Sequence, residues 1–136
     1  MTTMTVDFST IGGTEAAVMK AGNHTLIVDR PEGKAGGLGL GFNGGQLLAA
    51  AVGGCLCNDI RYVAHDGGVD LTEIRMSVTV DMDGTPLIAR RVTIRVSATA
   101  ADPATDVADL LRHARSISMV SNSIAPSVPI DFIVEA

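Results

Sequence analysis

The sequence predicts a single α+β domain in which one long helix separates two groups of strands. Apolar and polar residues alternate in short segments before residue 30 and again after residue 70, with the period of half-buried strands. Between these segments, residues 45–64 are rich in Leu and Ala, which favour helix. Because separate runs of strands are typical of α+β proteins, we expect the order β-β-β-α-β-β-α-β within one domain over residues 1–136.

Three short strands are predicted before the helix, at residues 5–9, 15–19 and 24–29. Turns that contain glycine separate them. Residues 31–45 then hold too many glycines to form a regular element, so we expect a loop that leads into the helix.

A β-hairpin is predicted after the helix. Residues 74–81 and 91–96 alternate apolar and polar side chains, and the Asp-Gly-Thr-Pro sequence at 83–86 supplies the turn. One face of the hairpin is therefore expected to be core and the other to be exposed to water.

A second helical region is predicted after the hairpin. Asp102, followed by Pro103, suits a helix N-terminus, with Asp106 nearby to complement the helix dipole. An apolar stripe follows at Val107, Leu110, Leu111 and Ala114. A further helical piece is predicted at Met119–Ile124, and a last strand at 129–134.

The central helix carries apolar or small residues on every side of its middle turns. Such a helix is buried all round, and one sheet from a chain this small covers only one side of it. Gly53 and Gly54 each cost about 1 kcal/mol relative to Ala in a helix interior, which close approach by another helix would offset. We therefore expect a homodimer.

Charge and composition exclude several classes of function. The formal net charge is −5, whereas nucleic acid and anionic membranes need a basic surface. The longest apolar or small run, residues 47–57, is too short to span a bilayer. The N-terminus lacks the basic and apolar regions of a signal peptide, and the two cysteines make no disulfide framework. We expect a soluble, cytoplasmic protein with no nucleic-acid or membrane partner.

No cofactor or metal site is predicted. Residues 39–44 fit the letters of the Gly-x-Gly-x-x-Gly dinucleotide motif, but no strand runs directly into the first glycine and an antiparallel hairpin follows the helix. The histidines at 24, 65 and 113 have no ligand spacing, and two cysteines are too few for a structural zinc site.

The two thiols admit two interpretations. Free cysteines are most often small buried hydrophobic residues, and reactive ones are the minority. Cys55 and Cys57 point about 200° apart on a helix, so they cannot form a disulfide without unwinding it. On charge alone, Arg61 would favour a thiolate at Cys57. Asp59, on the face of Cys55, would oppose one there.

The segment that ends at Cys55 resembles the OsmC/Ohr family. It reads Phe42-Asn-Gly-Gly-Gln-Leu-Leu-Ala-Ala-Ala-Val-Gly-Gly-Cys55, where family members carry Asn-Pro-Glu-(Gln/Glu)-Leu-(Leu/Phe)-Ala-Ala and a cysteine at the same offset. Residues 114–122 look like the segment around the family's second cysteine, and the order of elements matches over nearly the whole chain. The resemblance implies an intertwined homodimer with its central helices back to back. For typical members it also implies a thiol-dependent peroxidase that acts on organic hydroperoxides.

In that chemistry the first cysteine attacks the peroxide as a thiolate and becomes a sulfenic acid. The second cysteine condenses with it to a disulfide, which an external dithiol reduces. An arginine held by a glutamate lowers the thiol pKa. The resemblance makes Cys55 the candidate nucleophile and aligns Ser118 with the second cysteine. It aligns Gly45 with the glutamate and Thr14 with the arginine.

Two arginines are candidates to replace the missing cation. Arg115 ranks above Arg30, because in family members the segment of Arg115 brings the second cysteine near the first. The alternative for each is an ordinary solvated surface arginine.

Two functions of different classes remain open. The first is residual reduction of a small organic hydroperoxide at Cys55, in oxidative-stress defence, with an external thiol as reductant. The second is non-catalytic binding of a small apolar or acyl-type ligand at the dimer interface, with redox sensing through Cys55 as a further possibility. The retained Cys55 favours the first function, whereas the changes at Gly45, Ser118 and Thr14 favour the second.

Overall fold

The computed structural model describes residues 1–136, and its elements confirm the α+β class. In chain order they are β1 Asp7–Thr10, β2 Ala17–Ala21, β3 His24–Val28, α1 Gly44–Asp66, β4 Leu71–Asp83, β5 Ile88–Ala100, α2 Val107–Ile117, α3 Met119–Ile124 and β6 Ile130–Val134. The chain forms two compact units, Met1–Leu47 and Leu48–Ala136. One domain over residues 1–136 stays a prediction.

The first unit contains an antiparallel sheet in the order β1-β2-β3. β2 lies two residues later than predicted, because the turn to β3 is short and the strand therefore continues to Ala21. Ala21 pairs directly with His24, which leaves a two-residue turn in which Gly22 has a φ of +59°. That left-handed conformation favours glycine.

The loop between β3 and α1 is organised by a buried carboxylate. Asp29, whose side chain is 1% exposed, accepts hydrogen bonds from the backbone N–H groups of Arg30, Leu38 and Leu40. The Leu40 N–H bond is the main cause of the lowered pKa of Asp29, joined by the other two N–H groups and the charge of Arg30, while burial opposes them. A Cβ at Gly41 would lie 2.0 Å from the carbonyl oxygen of Ile27, so only glycine fits there.

Helix α1 begins one residue before its predicted start and ends two residues after its predicted end. Asn43 and Gln46 form a reciprocal capping box at the N-terminus, with N···O distances of 2.9 and 3.0 Å. At the other end, Gly68 adopts a φ of +65° and the Val69 N–H donates to the Ala64 carbonyl, which satisfies a terminal acceptor.

The second unit is built on a sheet in the order β4-β5-β6. β4 and β5 are antiparallel and longer than predicted, and β5 pairs with β6 in parallel. Asp102 does not cap α2 as predicted. Its carboxylate accepts the Ala104 N–H in a turn, and Asp106 is the N-cap through the Asp109 N–H, at 2.9 Å.

The core of the second unit lies between one stripe of α1, the sheet and α2. Residues one helical turn apart on α1 form that stripe, and they are Val52, Leu56, Ile60 and Ala64. The chain's own elements cover one side of the middle turns, and burial of the other side by a second subunit stays a prediction. Ala50, Ala51 and Gly54 are exposed, because the chain's own sheet and helix cover only one side of α1.

Helix α1 is longer than the apolar run that lies within it. By length and composition it is the one helix that could cross a membrane, with a mean hydropathy of 1.3 over its best window. The central helix of a soluble fold meets the same criterion, and three residues of α1 are fully buried in the core.

Candidate functional site: the Cys55 thiol

The Cys55 thiol lies on α1 between a carboxylate and a hydroxyl. Its Sγ donates to Oδ2 of Asp59, one turn further along the helix, at 3.4 Å. Cys55 is half-buried. Because residues four apart share a helix face, α1 itself fixes the pairing of Cys55 with Asp59.

The hydroxyl belongs to Ser118, which lies at the junction between α2 and α3. Ser118 is 0% exposed, and its Oγ donates to Cys55 Sγ at 3.7 Å, across 63 residues of sequence. It occupies the N-cap position of α3, yet its side chain makes no capping hydrogen bond. The hydroxyl is directed at the sulfur instead. The structure thus brings together two of the residues that the sequence singled out.

Arg115, the predicted activator, contacts another side chain. Its Nη1 donates to Oδ1 of Asn122 at 3.0 Å, and Nδ2 of Asn122 donates to the Ser116 carbonyl at 2.9 Å. These bonds tie the end of α2 to α3, and no hydrogen bond joins the guanidinium to Cys55.

The sequence alone identifies Asp59 only as an unfavourable charge beside Cys55. The structure makes it the acceptor of the thiol hydrogen, and it belongs to none of the chain's ion pairs. The spacing of four residues on a helix was the signal that could have identified this hydrogen bond.

Cys57 lies on the other side of α1 in a shallow groove of about 290 Å³. The groove is lined by Ala49, Ala50, Gly53, Gly54, Cys57, Met76 and Val78. Burial raises the pKa of the Cys57 thiol and outweighs the opposing charge of Arg61. Arg61 Nη1 donates to the Leu71 carbonyl at 2.7 Å. Arg61 acts on the pKa of Cys57 in the direction that the charge argument predicts, but burial has the larger effect.

Two further predicted positions lie in the first unit. The Thr14 hydroxyl donates to the Ile11 carbonyl at 2.8 Å and accepts the Ala16 N–H, so it stabilises a turn. Gly45 lies in the first turn of α1 and has no side chain to offer. Neither residue carries a charge. No group of three or more His, Cys, Asp and Glu side chains comes together in a way that could hold a metal ion.

Comparisons with known proteins give one family. The family model described as OsmC-like protein matches residues 35–133. A search of curated protein sequences gives no match.

Solved structures resemble the chain over almost its whole length. An OsmC-like protein from Mycoplasma pneumoniae is 13% identical, with a TM-score of 0.81 and coverage of 98% of this chain and 96% of that one. A putative osmotic stress induced and detoxification response protein from Psychrobacter arcticus is 24% identical, with a TM-score of 0.78 and coverage of 99% and 96%. An organic hydroperoxide resistance protein from Legionella pneumophila is 23% identical, with a TM-score of 0.70 and coverage of 100% and 98%. At these identities the likeness establishes the fold.

Proposed function

This chain belongs to the OsmC-like family, and on that premise we propose that it reduces small organic hydroperoxides with the thiol of Cys55. The observation that carries the proposal is the contact between Cys55 Sγ and the buried Ser118 Oγ at 3.7 Å. The resemblance aligns Ser118 with the second cysteine of family members, and this contact supports that alignment with a hydroxyl in place of the thiol. The name of the Legionella relative, an organic hydroperoxide resistance protein, supports the substrate class.

The cycle needs only one cysteine of the chain. The sulfur of Cys55 attacks the outer peroxide oxygen, an S–O bond forms, the O–O bond breaks and an alcohol leaves, which gives a sulfenic acid. Ser118 has no thiol to condense with it, and Cys57 lies on the other side of α1. An external thiol therefore attacks the sulfenic sulfur and releases water. A second external thiol then releases Cys55 and leaves as a disulfide.

We expect a hydroperoxide to oxidise Cys55 before Cys57. The test treats the reduced protein with one equivalent of tert-butyl hydroperoxide, traps sulfenic acid with a dimedone-type reagent and maps both cysteines by mass spectrometry. Cys57 serves as the internal control, because burial raises its pKa and leaves less thiolate at neutral pH. Trapping at Cys57 first, or no trapping at either cysteine, would remove the proposal.

Ligand binding without turnover is the second candidate. The apolar groove beside Cys57 favours it, since small residues and Met76 line a concavity of about 290 Å³. A medium-chain fatty acid that protects Cys57 from alkylation, together with a Cys55 that stays unoxidised by hydroperoxide, would establish this function in place of the first.

A homodimer is part of the same proposal. The exposed side of α1 presents Ala50, Ala51 and Gly54, small residues that allow another helix to approach closely. A Cβ at Gly53 would lie 3.1 Å from Val78 Cγ2, so the chain's own sheet explains that glycine. A Cβ at Gly54 meets nothing within 4 Å, so its own chain does not explain it.

We expect Gly54→Glu to give a folded monomer, because the new side chain enters open space in its own chain but places a charge between helices. Light scattering should give close to twice the 14.0 kDa chain mass for the wild type and the single mass for the variant. Arg112→Glu, at an exposed position on α2, is the control and should remain dimeric. A monomeric wild type would contradict the proposed homodimer. A dimeric Gly54→Glu variant would show that the interface does not include Gly54.

The expected surroundings follow from charge and thiol content. A net charge of −5 and two free cysteines suit a reducing, cytoplasmic compartment without a nucleic-acid or membrane partner.

A further inference from the structure

We propose that Asp59 is the catalytic base and acid of Cys55, taking the thiol proton during attack and returning it to the departing alkoxide. This inference rests on the proposed function, because it assigns the proton in the same reaction. It gives the chain a way to activate a thiol that has no cation hydrogen-bonded to it.

The geometry places the carboxylate directly on the reacting atom. The Cys55 Sγ to Asp59 Oδ2 distance is 3.4 Å, and an ionised carboxylate only accepts hydrogen bonds, so the thiol hydrogen points at Oδ2. No ion pair and no other side-chain hydrogen bond engages the carboxylate of Asp59. Its lone pairs are therefore not committed to a structural partner.

The chemistry requires such a group. An alkyl hydroperoxide leaves an alkoxide, which is strongly basic and must receive a proton as the O–O bond breaks. The other side chain hydrogen-bonded to the sulfur is the Ser118 hydroxyl, which donates toward charge on sulfur but is a weak acid. Asp59 is the one ionisable side chain bonded to Cys55, so it is the group placed to carry this proton.

The step balances without another reactant. The thiol proton moves from Cys55 Sγ to Asp59 Oδ2 as sulfur bonds to the outer peroxide oxygen and the O–O electron pair passes to the alkoxide. The protonated Asp59 then gives its proton to the alkoxide, which leaves as the alcohol. Cys55 is oxidised to the sulfenic acid, the hydroperoxide is reduced, and Asp59 is again a carboxylate.

The same carboxylate contributes less to reactions whose leaving group needs no proton. Alkylation by iodoacetamide also removes the thiol proton, but its iodide leaving group takes none, so this reaction uses Asp59 as a base and not as an acid. Removal of Asp59 should therefore slow reduction of alkyl hydroperoxides much more than alkylation. A purely structural role would slow both reactions by a similar factor.

The experiment measures Asp59→Asn in the full-length protein with three reagents. We expect oxidation of Cys55 by cumene hydroperoxide to slow about 10²-fold, the usual scale of general acid–base catalysis. Peracetic acid releases acetate, which needs no proton, so its rate and the alkylation rate should fall by a much smaller factor. Asp66→Asn, at the exposed end of the same helix, removes an equal charge and should change none of the three rates.

Asp59→Glu distinguishes the loss of proton transfer from a folding defect. It keeps the carboxylate, so it should recover part of the cumene hydroperoxide rate. An Asp59→Asn variant with an unchanged hydroperoxide rate, or with all three rates lowered by the same factor, would overturn the assignment of Asp59 and leave the proposed function intact. A wild-type Cys55 that reacts with iodoacetamide but with no hydroperoxide would overturn the proposed function itself, and the assignment with it.

Discussion

Ser118→Cys should give the site at Cys55 a second cysteine. The Ser118 Oγ lies 3.7 Å from Cys55 Sγ, and a thiol introduced there is within reach of the sulfur after a small side-chain rotation. One equivalent of hydroperoxide should form the sulfenic acid at Cys55. The introduced thiol should then condense with it to a disulfide and release water. Trapping of the sulfenic acid should disappear, and two free thiols should be lost for each hydroperoxide consumed.

The new bond should also change stability. It closes a loop of 63 residues, for which the loop-entropy model gives about 4 kcal/mol of stabilisation in the oxidised form. Urea unfolding with and without a dithiol measures this difference.

Ser121→Cys is the matched control for Ser118→Cys. Ser121 is equally buried and lies one turn further along α3, but its hydroxyl has no hydrogen-bond partner. It should form no disulfide with Cys55. A Ser118→Cys protein that accumulates sulfenic acid without a disulfide would contradict the proximity of Ser118 and Cys55 in solution.

Leu56→Ala should remove a large part of the stability of the second unit. Leu56 is 0% exposed in the stripe of α1 that packs in the core, and truncation of a buried leucine costs about 2–5 kcal/mol. Small domains have only about 5–15 kcal/mol in total. The midpoint of urea unfolding should fall accordingly.

Leu87→Ala makes the identical change at a leucine that is 69% exposed, and it should alter stability by about 0.5 kcal/mol or less. Similar losses in the two variants would mean that α1 is not packed in the core through Leu56.

Much of the fold was predictable because local rules determined it. Alternating apolar and polar residues identified β4 and β5, and a run of small and apolar residues identified α1. The resemblance identified the arrangement of these elements. The hydrogen bond between Cys55 and Asp59 follows from helix spacing alone. The contact with Ser118 was implied only through the resemblance, since no local pattern joins residues 63 apart.

The rest depended on tertiary contacts that have no signature in the sequence. The pKa of the Cys57 thiol depends on burial beside β4, which raises it by more than the neighbouring charge of Arg61 lowers it. Arg115 is turned toward Asn122 by the geometry of the α2–α3 junction. Asp102 and Asp106 are both good caps, and only the position of the first helical turn decides between them.

The parallel pairing of β5 with β6 has a consequence for synthesis on the ribosome. β5 is the middle strand of its sheet, but its second neighbour is made 30 residues or more later, after α2 and α3. Until β6 emerges, β5 has an open edge, with Val92, Ile94 and Val96 among its residues. Open apolar edges recruit other strands, so the nascent chain passes through a stage at which it is prone to aggregate. A chaperone that binds extended apolar segments would have its target there, in the interval between the two strands.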